Sequence, residues 1–168
     1  MLETRRGTAR ERSLIVTVST NVLASGAIRF TPELPPALQA AFAGVPTGSA
    51  NKVAFHFRRD VFGLPDTSYV SFMDERDAAR PACSFQLSPF GQNLAIAYLG
   101  GDLSANLERG GEEEMKGFAR AALGDMFGSD IFKELSGVAA TSWTTDPHTL
   151  GAYSCALPGH AHERAVLA

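Results

Sequence analysis

Residues 143–154 read Trp143-Thr144-Thr145-Asp146-Pro147-His148-Thr149-Leu150-Gly151-Ala152-Tyr153-Ser154, and they hold the only tryptophan of the chain. Asp146-Pro147 is a turn-forming pair: proline fixes its own φ, and an aspartate side chain bonds nearby backbone amides. Gly151 relaxes the backbone again before Tyr153. A chain that ends a strand at Trp143, turns at Pro147 and loosens at Gly151 presents two aromatic faces toward one hollow. Two stacking surfaces on a tight backbone suit a flat ligand. On residue types alone the competing reading is a core Trp143 and a packed Tyr153.

Immediately upstream, Val138 to Trp143 reads as the strand that delivers this stretch. Before it lies the clearest helix, Glu112 to Phe127, where Met115, Phe118, Ala119, Ala122, Leu123, Met126 and Phe127 recur at helical period. Glu112, Glu113 and Glu114 occupy its first turn, where negative charge faces the positive end of the helix dipole. Successive residues point around a helix and cannot converge on a metal, so this trio reads as a solvated cap.

Further upstream, Ser49 to Arg58 alternates as a strand, with Asn51, Val53, Phe55 and Phe57 on one side and Lys52, Ala54, His56 and Arg58 on the other. Lys52 is one of only three lysines, against many arginines. An amine can lose its proton where a guanidinium cannot, which makes Lys52 a candidate functional group beside the plain reading of an exposed strand end. Thr67 to Met73, Cys83 to Leu87 and Leu94 to Leu99 read as further strands, and Gly100-Gly101-Asp102 ends this meander. The sheet so assembled is mostly antiparallel, with room for a pocket on one face.

At the start of the chain, Arg5, Arg6, Arg10 and Arg12 read as part of a solvated strand-turn-strand. Leu14 to Val18 is a continuous, largely β-branched run, the pattern of a strand covered on both faces. Asn21 to Ala24 is a short helical turn stopped by Gly26. Thr31 to Pro36 is a rigid connector, and Pro36 to Ala43 a short helix with Leu38, Ala41 and Phe42 on its buried side.

A net charge of −3 and a pI near 5.8 give no general attraction to phosphate backbones, so nucleic acid is not an expected partner. No apolar run approaches the roughly 20 residues that cross a bilayer, and the expectation is a cytoplasmic protein with no membrane partner. Cys83 and Cys155 read as free buried thiols. Cys155, His160 and His162 lack an evident fourth ligand, so no metal site is expected. The chain contains no Gly-x-Gly-x-x-Gly turn, no Gly-x-x-x-x-Gly-Lys loop, no Gly-x-Ser-x-Gly elbow and no His-Glu-x-x-His.

The spacing Trp143, Asp146, Pro147, Gly151, Ala152, Tyr153 resembles the Trp-x-x-Asp/Glu-Pro…Gly-Ser/Cys-Tyr run of the flavin-containing amine oxidases. Val16-Thr17-Val18-Ser19 with Leu23 to Pro32 is similar to that family's TVP and LxxGxIxFxPxLP run, and Asn51-Lys52-Val53 to its strand opening. The resemblance implies an α+β fold, a mixed and mostly antiparallel sheet packed with helices. It also implies a division into residues 1–32 (flavin-domain strands and connector), 33–138 (substrate-binding domain) and 139–168 (return strand and flavin-facing aromatic segment).

It further implies FAD as cofactor and a small-molecule amine as substrate. Lys52 would hold a water beside the reactive ring nitrogen, Trp143 would pack on the isoalloxazine, and Tyr153 would wall the amine site. Ala152 stands where monoamine oxidases carry the cysteine that binds flavin covalently, so the FAD is expected to be noncovalent. The missing dinucleotide fingerprint implies a chain that is part of a larger enzyme and inactive alone. The alternative is a stand-alone α+β module that binds a small ligand or a partner without redox chemistry.

Overall fold

The computed structural model describes residues 1–168. Strands β1 (Leu2–Thr4) and β2 (Gly7–Ala9) pair as a solvent-exposed hairpin, with Leu2 opposite Ala9 and Thr4 opposite Gly7. Both arms of this basic hairpin lie within the chain. Helices α1 (Thr20–Ala24) and α2 (Pro36–Gly44) follow. Ser19 caps α1 by accepting a bond from the Val22 amide, and proline occupies the first position of α2, where its missing N–H costs nothing.

The main sheet has five strands in the order β4-β5-β6-β3-β7. They are β3 (Ala50–Phe57), β4 (Ser68–Phe72), β5 (Cys83–Leu87), β6 (Leu94–Gly100) and β7 (Leu135–Ala140), and every pairing is antiparallel. Alternation along β3 buries Asn51, Val53, Phe55 and Phe57, as the period-2 pattern predicts. Cys83, Phe85 and Leu87 of β5 and Ala95, Ala97 and Leu99 of β6 join them. The fold is thus the α+β arrangement expected from the sequence.

Helices α3 (Gly101–Gly110) and α4 (Glu112–Phe127) cover this apolar face. In α4, Met115, Ala119, Ala122 and Leu123 are buried, with Phe118, Met126 and Phe127 packed at the margin. Phe62 bridges sheet and helix edge-on, its ring centroid 5.3 Å from Phe57 and 5.1 Å from Phe127. Glu112, Glu113 and Glu114 stand in the first turn without a side-chain cap bond, and Lys116 pairs with Glu112 and Glu113 on the solvent side.

Three expectations are corrected, and helix α3 is an element the sequence reading did not assign. Leu14 to Val18 forms no strand: nothing in the chain takes up its ladder bonds, and Ile15 is 86% exposed. Residues 101–110 continue from β6 as helix α3, because Gly101 at φ +60° allows an immediate reversal and Asp102 suits the first turn. The last strand runs Leu135–Ala140 and stops short of Trp143, for a reason given below. Cys155 is exposed, since its segment runs over the surface, whereas Cys83 is buried.

Candidate functional site

The face of the sheet opposite α3 and α4 carries Lys52. It sits in register with Tyr98 of β6, its Nζ 5.2 Å from the ring centroid, within reach of a cation–π attraction. On the other flank, Lys52 N–H donates to Thr141 Oγ1 at 2.9 Å while Thr141 N–H donates to Lys52 C=O at 3.0 Å. A threonine hydroxyl thus takes the place of a ladder carbonyl, and β7 ends there. The backbone then swings toward the edge of β3, where Asn51 Oδ1 accepts from Thr141 Oγ1 at 2.9 Å and from Trp143 N–H at 3.1 Å.

Beneath this departure lies a buried polar cluster. Asn51 is 2% exposed, Ser104 0% and Glu108 6%. Asn51 Nδ2 donates to Glu108 Oε2 at 2.7 Å and to Ser104 Oγ at 3.0 Å. Glu108 Oε1 accepts from Thr144 N–H at 3.0 Å, Thr145 N–H at 2.8 Å and Thr145 Oγ1 at 2.9 Å. Burial acts to raise the Glu108 pKa, but bonds from Thr145, Thr144 and Asn51 outweigh it and leave the carboxyl below its ordinary range.

The loop is closed by its own sequence. His148 N–H donates to Asp146 Oδ1 at 2.8 Å and Leu150 N–H to Asp146 C=O at 2.8 Å, the side-chain turn expected at Asp146-Pro147. Gly151 N–H and Thr149 Oγ1 both donate to Trp143 C=O, at 2.7 and 2.6 Å. At Gly151 φ is +137°, and a Cβ there would collide with Thr47 Oγ1. Ala152 N–H then donates to Gly48 C=O at 2.9 Å and Gly48 N–H to Tyr153 C=O at 2.8 Å. Asn21 of α1 holds Leu150 C=O at 2.7 Å, so the start of the chain braces the same loop.

These constraints enclose a cleft of about 490 Å³. Lys52, Trp143, Ala152 and Tyr153 all line it, so the four residues expected from sequence share one hollow. Trp143 is 43% exposed and Tyr153 71% exposed, so neither is a packed core aromatic. Tyr98 and His148 line the cleft as well. Neither is singled out as a functional residue by the sequence. Tyr98 is found only through the register that sets it opposite Lys52. Glu108 is hidden for lack of an apolar period around it.

At the far end of the chain, His160 Nδ1 lies 3.1 Å from Glu163 Oε1, and its ring stacks on His162 with centroids 6.5 Å apart. No three His, Cys, Asp or Glu side chains are grouped as a metal site. No helix is long and apolar enough to cross a membrane.

Sequence and fold comparisons identify the family and the fold. The profile of the flavin containing amine oxidoreductase family matches residues 3–165. The chain is 30% identical over 147 residues to probable polyamine oxidase 4 of Arabidopsis thaliana, covering 84% of this chain and 28% of that protein. It is 27% identical over 154 residues to lysine-specific histone demethylase 1 homolog 3 of the same plant, covering 90% of this chain and 9% of that one. Its fold is similar to cyclohexylamine oxidase from Brevibacterium oxydans IH-35A, with a TM-score of 0.59 at 19% identity, over 89% of this chain and 33% of that structure. The chain therefore spans less than a third of the first relative's length. With nearly its whole length matched, this chain belongs to the flavin-containing amine oxidoreductase family.

Proposed function

We propose that this chain forms the substrate-facing wall of an FAD-dependent amine oxidase, which converts a C–N bond of a small amine to an imine. The observation that carries this reading is the meeting of Lys52, Trp143 and Tyr153 around one cleft of about 490 Å³. Two part-exposed aromatic side chains and a lysine beside an open hollow fit a planar ring system with a polar edge. FAD, when bound, would supply the two-electron oxidant for the C–N bond, with oxygen as the final acceptor.

In this reading Trp143 would pack against the ring system, and Tyr153 would form one wall of the amine site. Both rings exclude water while tolerating partial positive charge on nitrogen. Lys52 would hold a water at the ring's polar edge, with its Nζ over the ring of Tyr98 at 5.2 Å from the centroid. Ala152 presents only a methyl group, which leaves no nucleophile for covalent attachment and suits noncovalent FAD. Residues 33–138 make the substrate-binding domain. Residues 1–32 and 139–168 belong with a flavin-binding domain completed by further polypeptide, which would carry the dinucleotide fingerprint. Cytoplasmic placement accompanies this reading.

The test is to purify the product of the full reading frame, reconstitute it with FAD, and record its absorbance and its peroxide yield with a panel of amines. A yellow chromophore and amine-dependent peroxide are expected, with residues 1–168 alone producing none. A full-length protein that takes up no flavin would overturn the proposal.

A further inference from the structure

The buried pair Asn51 and Glu108 has a donor–acceptor pattern that fixes one orientation of each side chain. A carboxylate only accepts, and a backbone N–H only donates. Glu108 therefore obliges Asn51 to turn its Nδ2 toward it, at 2.7 Å. That leaves Asn51 Oδ1 facing the other way, where Trp143 N–H and Thr141 Oγ1 both need an acceptor. Ser104 Oγ accepts from the same Nδ2 at 3.0 Å. The amide of Asn51 converts an acceptor on α3 into an acceptor at the loop.

We propose that Glu108 is the positioning residue of this cleft. Its charge sets the polarity of Asn51, and through Asn51 the placement of Trp143, while Oε1 separately holds Thr144 and Thr145. The placement follows from geometry alone. Only its consequence for flavin rests on the function proposed above.

The polarity of the pair can be inverted within the chain. In Glu108→Gln one carboxylate oxygen becomes a donor. If the new NH₂ faces Asn51, the asparagine must either oppose it donor to donor or flip and lose the Trp143 bond. If the new NH₂ faces the loop, the amides of Thr144 and Thr145 lose their acceptor. Combining Glu108→Gln with Asn51→Asp restores the pattern. The carboxylate introduced by the second substitution accepts from the new NH₂ with one oxygen and from Trp143 N–H with the other.

Hydrogen exchange at the amides of Trp143, Thr144 and Thr145, and iodide quenching of the only tryptophan, read the placement without any flavin. In Glu108→Gln, exchange at these amides should rise about tenfold or more, the scale expected when a charge-assisted bond is lost, and quenching should rise with it. Exchange within β5 and β6 should not change. The double variant should return both signals toward the parent. Unchanged exchange in Glu108→Gln would overturn the proposal. So would a double variant no closer to the parent than the single one, or one that fails to fold. FAD uptake by the full reading frame product is scored separately: loss of uptake in the parent overturns the functional reading and leaves the relay standing.

Discussion

Helices α3 and α4 lie side by side on the same sheet, yet they do different work. The inward face of α4 is apolar throughout, with Met115, Ala119, Ala122 and Leu123 against the sheet. The inward face of α3 is half polar: Leu107 joins the core, but Ser104 and Glu108 are buried beside it. One helix holds the sheet together by excluding water. The other gives up apolar burial so that a carboxylate can organise the loop that carries Trp143. Stability and site geometry are thus assigned to separate helices, and substitutions on each should separate in the same way.

The largest effect is expected on α4. Leu123 is fully buried, and Leu123→Ala removes its packing and leaves a cavity, at a cost of about 2–5 kcal/mol. Urea denaturation should show the loss as a lower midpoint with an unchanged slope. Iodide quenching of Trp143 under native conditions should stay at its parent value, since Leu123 packs within the apolar core and takes no part in the bonds that hold the loop. A variant that changes quenching as much as stability would break the comparison.

Gly151→Ala should come next. The residue stands at φ +137°, and its Cβ would collide with Thr47 Oγ1 and press on Gly48 C=O at 3.2 Å. The strain is about 1–3 kcal/mol, and it falls on the loop that α3 organises. Trp143 quenching should therefore rise more than the global stability falls, the reverse of Leu123→Ala.

The contrast between the helices also explains what the sequence disclosed. The stripe on α4 repeats at helical period, and the alternation along β3 repeats at period 2, so both elements and their buried faces are readable directly. The cleft was legible for a different reason. Trp143, Asp146, Gly151 and Tyr153 are telling residue types at fixed spacing, and Lys52 stands out among few lysines. Helix α3 showed neither signal, because Ser104 and Glu108 interrupt the apolar period where they face inward. Leu14 to Val18 misled in the opposite direction: a β-branched run specifies an extended, coverable segment, but a strand also needs a partner to take up its ladder bonds, and no strand of this chain pairs with it.

Acid should act on α3 before α4. Burial raises the Glu108 pKa, and its hydrogen bonds from Thr145, Thr144 and Asn51 lower it further than burial raises it, for a net decrease from the ordinary carboxyl value. A carboxyl lowered in the folded state contributes stability that is present above its unfolded pKa and is lost as pH falls through the folded one. Between pH 7 and about 5 the loop should therefore be insensitive to pH. Below the ordinary carboxyl range, exchange at Thr144 and Thr145 should accelerate, with the β3–β6 ladder still protected. Glu108→Gln should abolish that acid-dependent step.

The two thiols sharpen the comparison with the smallest perturbation. Cys83 lies on the face of β5 that α4 covers, 1% exposed, and burial pushes its pKa up to about 12. Both the access of a reagent and the supply of thiolate are therefore suppressed at neutral pH. Cys155 is exposed, two residues beyond Tyr153. An aromatic disulfide reagent should titrate one thiol in the native chain and two after unfolding. Cys155→Ser, a surface change, should alter stability by no more than about 0.5 kcal/mol and abolish the native reaction. In that background, slow labelling of Cys83 follows opening of the sheet beneath α4. Leu123→Ala should hasten it and Gly151→Ala should not, because the strained loop lies outside the apolar core that surrounds Cys83.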